Sequence, residues 1–167
     1  MPEAPVCVVP YDPTWVAKFE TEKVYLGALL AQWRSGPIEH VGSTAVVGMC
    51  AKPVIDVMVG ISSLVESEPA KEVLIGAGYQ YSDYMTHIMH WFCKPSFAMR
   101  THHLHLVPYQ SPLWCARLKF RDVLRNDSAV AADYAALKID LAKRFEFDRE
   151  AYTEGKAPFI ERVLEAG

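Results

Sequence analysis

The sequence predicts an α+β fold: a mixed β-sheet flanked by helices, with a helical C-terminal part. Three observations carry this reading. Short apolar runs bounded by turn residues fall between residues 38 and 109, helical periodicity dominates from Pro112 onward, and a capped amphipathic helix precedes the main block of strands. The order is strand, helix, two strands, helix, three strands and three helices, which implies one domain over 1–167.

The first element is VCVV, residues 6 to 9, a short strand. Asp12 then offers an N-cap and Pro13 a first helical position, where a missing N–H costs nothing. Phe19, the stem of Lys23, Leu26, Leu30 and Trp33 recur at helical spacing up to the breaker Ser35-Gly36-Pro37. IEHV (38–41) and PVIDVMVG (53–60) are the next strands. A short amphipathic helix follows from about Leu64 to Ala77 and stops at Gly78. YQYS, HWFC and HHLHLVPY supply three further strands. Beyond Pro112, Val130, Tyr134, Leu137, Leu141 and Phe145 form a helical stripe capped by Asp127 or Ser128, and a last helix from about Asp148 to Glu165 is open to a break at Gly155 or Pro158. Trp91, Phe92 and Trp114 read as core.

At 167 residues, 51% hydrophobic and 22% charged, the chain can bury a full core. A net charge of −3 and a pI of about 6.1 argue against a dedicated nucleic-acid binder. Cys7, Cys50, Cys93 and Cys115 are scattered without a CxxC pair, and read as reduced, mostly buried thiols of a cytoplasmic protein. The opening MPEAPVCVVPYDP has an early glutamate, prolines and no long apolar run, so neither a signal peptide nor a membrane anchor is expected.

Gly42-Ser43-Thr44 follows a strand and precedes Ala45-Val46-Val47. Such a turn offers backbone N–H groups and hydroxyls to an anion, although strand-ending GS turns are common in any fold. Asp56 lies in a strand that is otherwise apolar on both faces. A carboxylate there needs a metal, a base or several donors, or else sits at a strand end accepting backbone N–H bonds. His103 and His105 alternate on one strand face, with Leu104, Leu106 and Val107 read onto the other. They suit either half of a metal site completed by Asp56 or a proton carrier near neutral pH. Lys52 stands before Pro53 at the mouth of the Asp56 strand, and Arg121 lies on a helix after the last strand. Tyr134 with Lys138 and Tyr152 with Lys156 repeat an i, i+4 spacing. Taken singly these are solvated or snorkelling side chains; together they suit a polyphosphate or carboxylate ligand.

The stretch IEHVGSTAVVGMCAKPVIDVMVG resembles the signature of the GrpB family. The resemblance continues through VVPYDPTWVAKFE, GAGY, HLHLV, KFRDVLR, DYAALKIDLA and YTEGKAPFI, and so spans nearly the whole chain. It implies a nucleotidyltransferase-like fold. In that wider group a Gly-Ser turn holds the triphosphate, while a D-x-D pair and a later acid bind metal ions. Here Gly42 and Ser43 match the turn and Asp56 matches one acid. Met58 stands where the second acid belongs, and the strand of His103 and His105 where the third belongs.

The resemblance thus implies a group-transfer enzyme acting on a nucleotide or nucleotide-linked substrate, with Asp56, His103 and His105 catalytic and Asp56 the candidate ligand of a magnesium ion. His40, Gly42, Ser43, Thr44, Lys52, Arg121, Lys138, Tyr152 and Lys156 would bind the substrate. Two other readings stay open. One is an aminoacyl-tRNA-dependent cyclodipeptide synthase, because GrpB-like fungal proteins are linked to arginine-containing cyclodipeptides; Lys119, Arg121, Arg125, Lys138, Lys143 and Arg144 would then attract tRNA as a local basic patch. The other is a nucleotide-binding module without catalysis.

Overall fold

The first expected strand is not one. The computed structural model describes residues 4–167, and in it Val9 makes only an isolated antiparallel bridge with Ala51. Pro5 and Pro10 bracket VCVV and lack the N–H groups that would extend a ladder. The early Glu3 lies outside the described residues.

Helix α1 (Thr14–Leu29) begins where expected: Asp12 Oδ1 accepts from the Thr14 backbone N–H at 2.9 Å and from its hydroxyl at 2.8 Å. Phe19, Leu26 and the following Leu30 are buried, but Lys23 is exposed and Glu22 takes the inward place. That carboxylate is tolerated because the Tyr79 hydroxyl and Lys94 Nζ (2.5 Å) both donate to it.

Strand β1 (Arg34–Val41), a 3₁₀ turn (Ser43–Ala45) and β2 (Ile55–Ile61) follow. Helix α2 covers only Ala70–Gly76. The residues before it form turns, with the Ser67 hydroxyl donating to Ser63 O at 2.8 Å, so the expected helix is shortened at its start. Strands β3 (Gln80–Ser82), β4 (His90–Pro95) and β5 (Arg100–Pro108) complete a five-stranded sheet of order β1-β2-β5-β4-β3. β2 and β5 run parallel while the other pairs are antiparallel, so the sheet is mixed as predicted.

Helices α3 (Pro112–Asn126), α4 (Ser128–Arg144) and α5 (Arg149–Ala166) form the C-terminal part. Ser111 caps α3 and Asp127 caps α4, accepting from Ala129 and Val130 N–H at 3.1 Å. α5 runs unbroken through Gly155 and Pro158. A Cβ at position 155 would come within 2.6 Å of Leu141, so the glycine lets α5 press against α4 instead of ending the helix.

The sheet has two unlike faces. On one, Ile55, Val57, Val59, Ile61, Leu104, Leu106 and Phe92 join Phe19 and Leu26 of α1 and Leu74 of α2. Each such fully buried side chain contributes about 1.5–3 kcal/mol relative to exposure. On the other, Met58, Trp91, Cys93 and Trp114 pack together with Val107, which therefore shares the face of His103 and His105, as a period of two requires. Trp91, Phe92 and Trp114 are core, as expected. Of the four cysteines only Cys93 is buried; Cys50 is half-buried, and Cys7 and Cys115 are exposed. No helix among the described residues is long and apolar enough to cross a membrane.

Candidate functional site

Parallel pairing sets Asp56 beside His103 and Met58 beside His105. The alternation of side chains then turns Asp56, His103 and His105 onto the α3 face. His103 Nδ1 lies 3.1 Å and His105 Nε2 3.2 Å from the same Asp56 oxygen, Oδ1. Burial pushes the Asp56 carboxyl up, but the two imidazole hydrogen bonds outweigh it and hold the group well below the usual carboxylate range. Asp56 is therefore ionised and accepts from both rings.

Its other oxygen faces the turn. Gly42 has φ +73°, and a Cβ there would meet Asp56 Oδ2 at 2.6 Å, so both backbone and space demand glycine. This settles the local meaning of the Gly-Ser pair: the turn is folded directly over the carboxylate. Ser43 Oγ accepts from Lys138 Nζ at 2.8 Å, and the same ammonium donates to Cys50 O. Lys138 is thus no snorkelling side chain. It is buried in the apolar stripe of α4, and burial, with Lys156 nearby and Cys50 opposing, lowers its pKa to about 8.

Lys52 and Lys156 hold their ammonium groups 4.9 and 4.6 Å from the ring centre of Tyr152, which is buried. Among the described residues neither lysine makes a salt bridge. Burial, then Lys156 and Arg149, lower Lys52 to about 7 against the pull of Asp56. Burial also lowers Lys156, again offset by Asp56. Arg117 of α3 completes the group: its Nη1 donates to His105 Nδ1 at 2.7 Å, and burial lowers its pKa while Asp56 raises it. One half-buried carboxylate accordingly faces several cations, of which Lys52, Arg117 and Lys156 are half-buried and Lys138 is buried.

Three expected substrate residues are employed elsewhere. His40 turns to the α1 face, stacks on Phe19 at 4.5 Å and bonds Thr44 Oγ1 at 2.9 Å. Burial chiefly lowers its pKa to about 4, so it is neutral. Thr44 is buried and donates to Val54 O at 3.5 Å. Arg121 binds Glu39 at 2.7 Å, His40 O at 3.1 Å and Asp122 at 2.9 Å. With Phe19, Val46 and Arg125, His40 and Arg121 line a groove beside the 3₁₀ turn.

The residues named for a basic patch are placed differently from one another, with Arg125, Lys143 and Arg144 exposed. Lys138 is buried, Lys119 donates to Leu164 O, Arg125 to Ala45 O, and Arg144 pairs with Asp140.

The donor set does not fit magnesium. That ion prefers an octahedron of oxygen ligands, and this cluster offers one carboxylate whose Oδ1 already accepts from two imidazoles. Met58 is buried on the same face in place of a second acid.

Arg117 is the residue that sequence reasoning missed. Arg100 and Arg149, whose charges also act on Lys52, were missed with it. The signal available for Arg117 was its place one turn before Arg121 in WCARLKFRDVLR, on the same side of a helix that must cover the histidine face.

This architecture has known counterparts. A Cid1 poly(U) polymerase structure aligns over 89% of this chain and 49% of its own, with a TM-score of 0.57 and 14% identity, a likeness in fold alone. The crystal structure of GrpB from Enterococcus faecalis aligns over 96% of both chains at a TM-score of 0.86 and 29% identity. The glutamate-rich protein GrpB of Alkalihalophilus pseudofirmus is 32% identical over 164 residues, covering 95% of this chain and 94% of that protein. The family model described as GrpB protein matches residues 5–166, and this chain belongs to the GrpB family.

Proposed function

We propose that the chain binds the phosphate chain of a nucleotide or nucleotide-linked substrate between the Gly42-Ser43 turn and the inner cations, and transfers a group from it. The observation that carries this reading is the charge imbalance: half-buried Lys52, Lys156 and Arg117 all lie within electrostatic reach of the single carboxylate of Asp56, and buried Lys138 holds the Ser43 hydroxyl of the turn folded over it. Buried charge of one sign is costly, and a multiply charged anion would offset it. Lysines supply point charge to a phosphate chain, and the turn adds backbone N–H groups. The nucleotidyltransferase-like fold supports the same ligand class.

In this reading the protein's own cations neutralise the phosphates, Asp56 orients the two imidazoles, and His103, whose Nε2 is uncommitted, handles the proton. Calorimetric titration with ATP, GTP, CTP and UTP, with and without magnesium, tests it. Binding of at least one nucleotide is expected, weakened about 10- to 100-fold by Lys156→Met, the range for losing a charge-assisted contact. Failure of all four to bind at millimolar concentration removes the proposal.

A further inference from the structure

By spacing alone, Asp56, His103 and His105 look like a metal site, since one ligand atom from each lies within 4.8 Å of the others. The hydrogen bonding around them says otherwise. An arginine guanidinium has five N–H donors and no acceptor. Arg117 Nη1 lies 2.7 Å from His105 Nδ1, so Nδ1 must be the unprotonated nitrogen. The proton of neutral His105 then sits on Nε2, which points at Asp56 Oδ1 at 3.2 Å and donates to it. Both His105 nitrogens are thereby committed, one as acceptor and one as donor.

A metal ion on His105 Nε2 would need that lone pair. The ring would have to move its proton to Nδ1, where it would meet an arginine N–H head-on. Metal-binding histidines show the opposite arrangement: the far ring N–H is donated to a carboxylate, a carbonyl or water. His103 does not rescue the site, because its Nδ1 donates to the same Asp56 oxygen and only Nε2, buried and without a partner among the described residues, is uncommitted. We propose that Arg117 is a positioning residue that locks His105 as an Nε2–H donor, making the Asp56–His103–His105 cluster a metal-free centre in which Arg117 supplies the positive charge a metal would bring. This inference stands apart from the nucleotide reading and concerns the protein without any substrate.

Long-range ¹H–¹⁵N spectra of the whole chain, assigned with His103→Gln and His105→Gln, read the tautomers directly. At neutral pH the expected result is an unprotonated Nδ1 and a protonated Nε2 for His105. The same samples are titrated with Co²⁺ and followed by its visible absorption. The parent chain should take up no stoichiometric Co²⁺ on this cluster. Arg117→Met should gain affinity by about 10- to 100-fold, the scale on which a supporting hydrogen bond alters metal affinity. Arg117→Lys, which keeps a donor-only cation, should behave as the parent. An Nδ1–H tautomer of His105, parent Co²⁺ binding lost in His105→Gln, or a folded Arg117→Met without gained affinity would each overturn the proposal. If Arg117→Met fails to fold, the parent's tautomer and titration still decide.

Discussion

The two faces of β2 differ in what they ask of their neighbours. Ile55, Val57, Val59 and Ile61 need only apolar contact, which α1 and α2 provide without direction or stoichiometry. Asp56 on the opposite face needs particular partners: two imidazole N–H groups, a glycine with no Cβ to strike, and cations held beyond. One strand thus carries a face where size matters and a face where atom identity matters. Stability should reside mainly on the first and ligand recognition mainly on the second.

The largest effect should come from emptying the apolar face. Leu104→Ala should cost about 2–5 kcal/mol of unfolding free energy in denaturant titrations, and the protein that remains folded should keep the ligand affinity of the parent. A loss of affinity per folded molecule would break the division. Gly42→Ala attacks the other face. It forces a side chain into φ +73° against Asp56 Oδ2 and should cost about 1–3 kcal/mol, with nucleotide affinity falling further than stability predicts.

Acidity sharpens the comparison more gently. His105 on the site face and His40 on the α1 face are both held at about 4, chiefly by burial. The unfolded chain takes up these protons near pH 6.5 and the folded chain only near 4, so their contribution to stability is complete above 6.5 and is lost as pH falls through that window. In thermal melts, His40→Gln should flatten that acid decline while leaving nucleotide affinity alone.

Lys52 gives the smallest and most selective test. Its pKa of about 7 means that an anion meets an ammonium below that pH but must recruit a proton above it. Affinity should fall by up to about tenfold per pH unit above 7, and Lys52→Met should remove that dependence. Stability moves the other way: between about 7 and 10.5 the unfolded chain carries the proton that folded Lys52 lacks, so this residue makes the fold more stable as pH rises.

Periodicity and turn chemistry are local, and they were legible. Asp12, Asp127, the stripe of α4 and the alternation through His103 and His105 follow from neighbours in the chain. Pro5 and Pro10 flank VCVV, and their missing N–H groups outweigh the strand preference of the apolar run. Glu22 could not be distinguished from Lys23 by spacing, because what permits its burial is Tyr79 and Lys94 on distant strands. Arg117 was hidden for the same reason: its role exists only once α3 lies across β5. His40 and Arg121 stood beside recognisable motifs, but the pleat and the Glu39 carboxylate direct them away from Asp56. Residue types were readable; the pairing of donors with acceptors was not.

The bond from Lys138 to Ser43 joins positions 95 residues apart. During synthesis, the turn and the sheet leave the ribosome long before the helix that supplies this ammonium. Closing so long a loop is slow and entropically costly. The emerging chain can therefore build its apolar layer early while the surroundings of Asp56 stay unfinished. Docking of the C-terminal helices is then the step that completes the surroundings of Asp56.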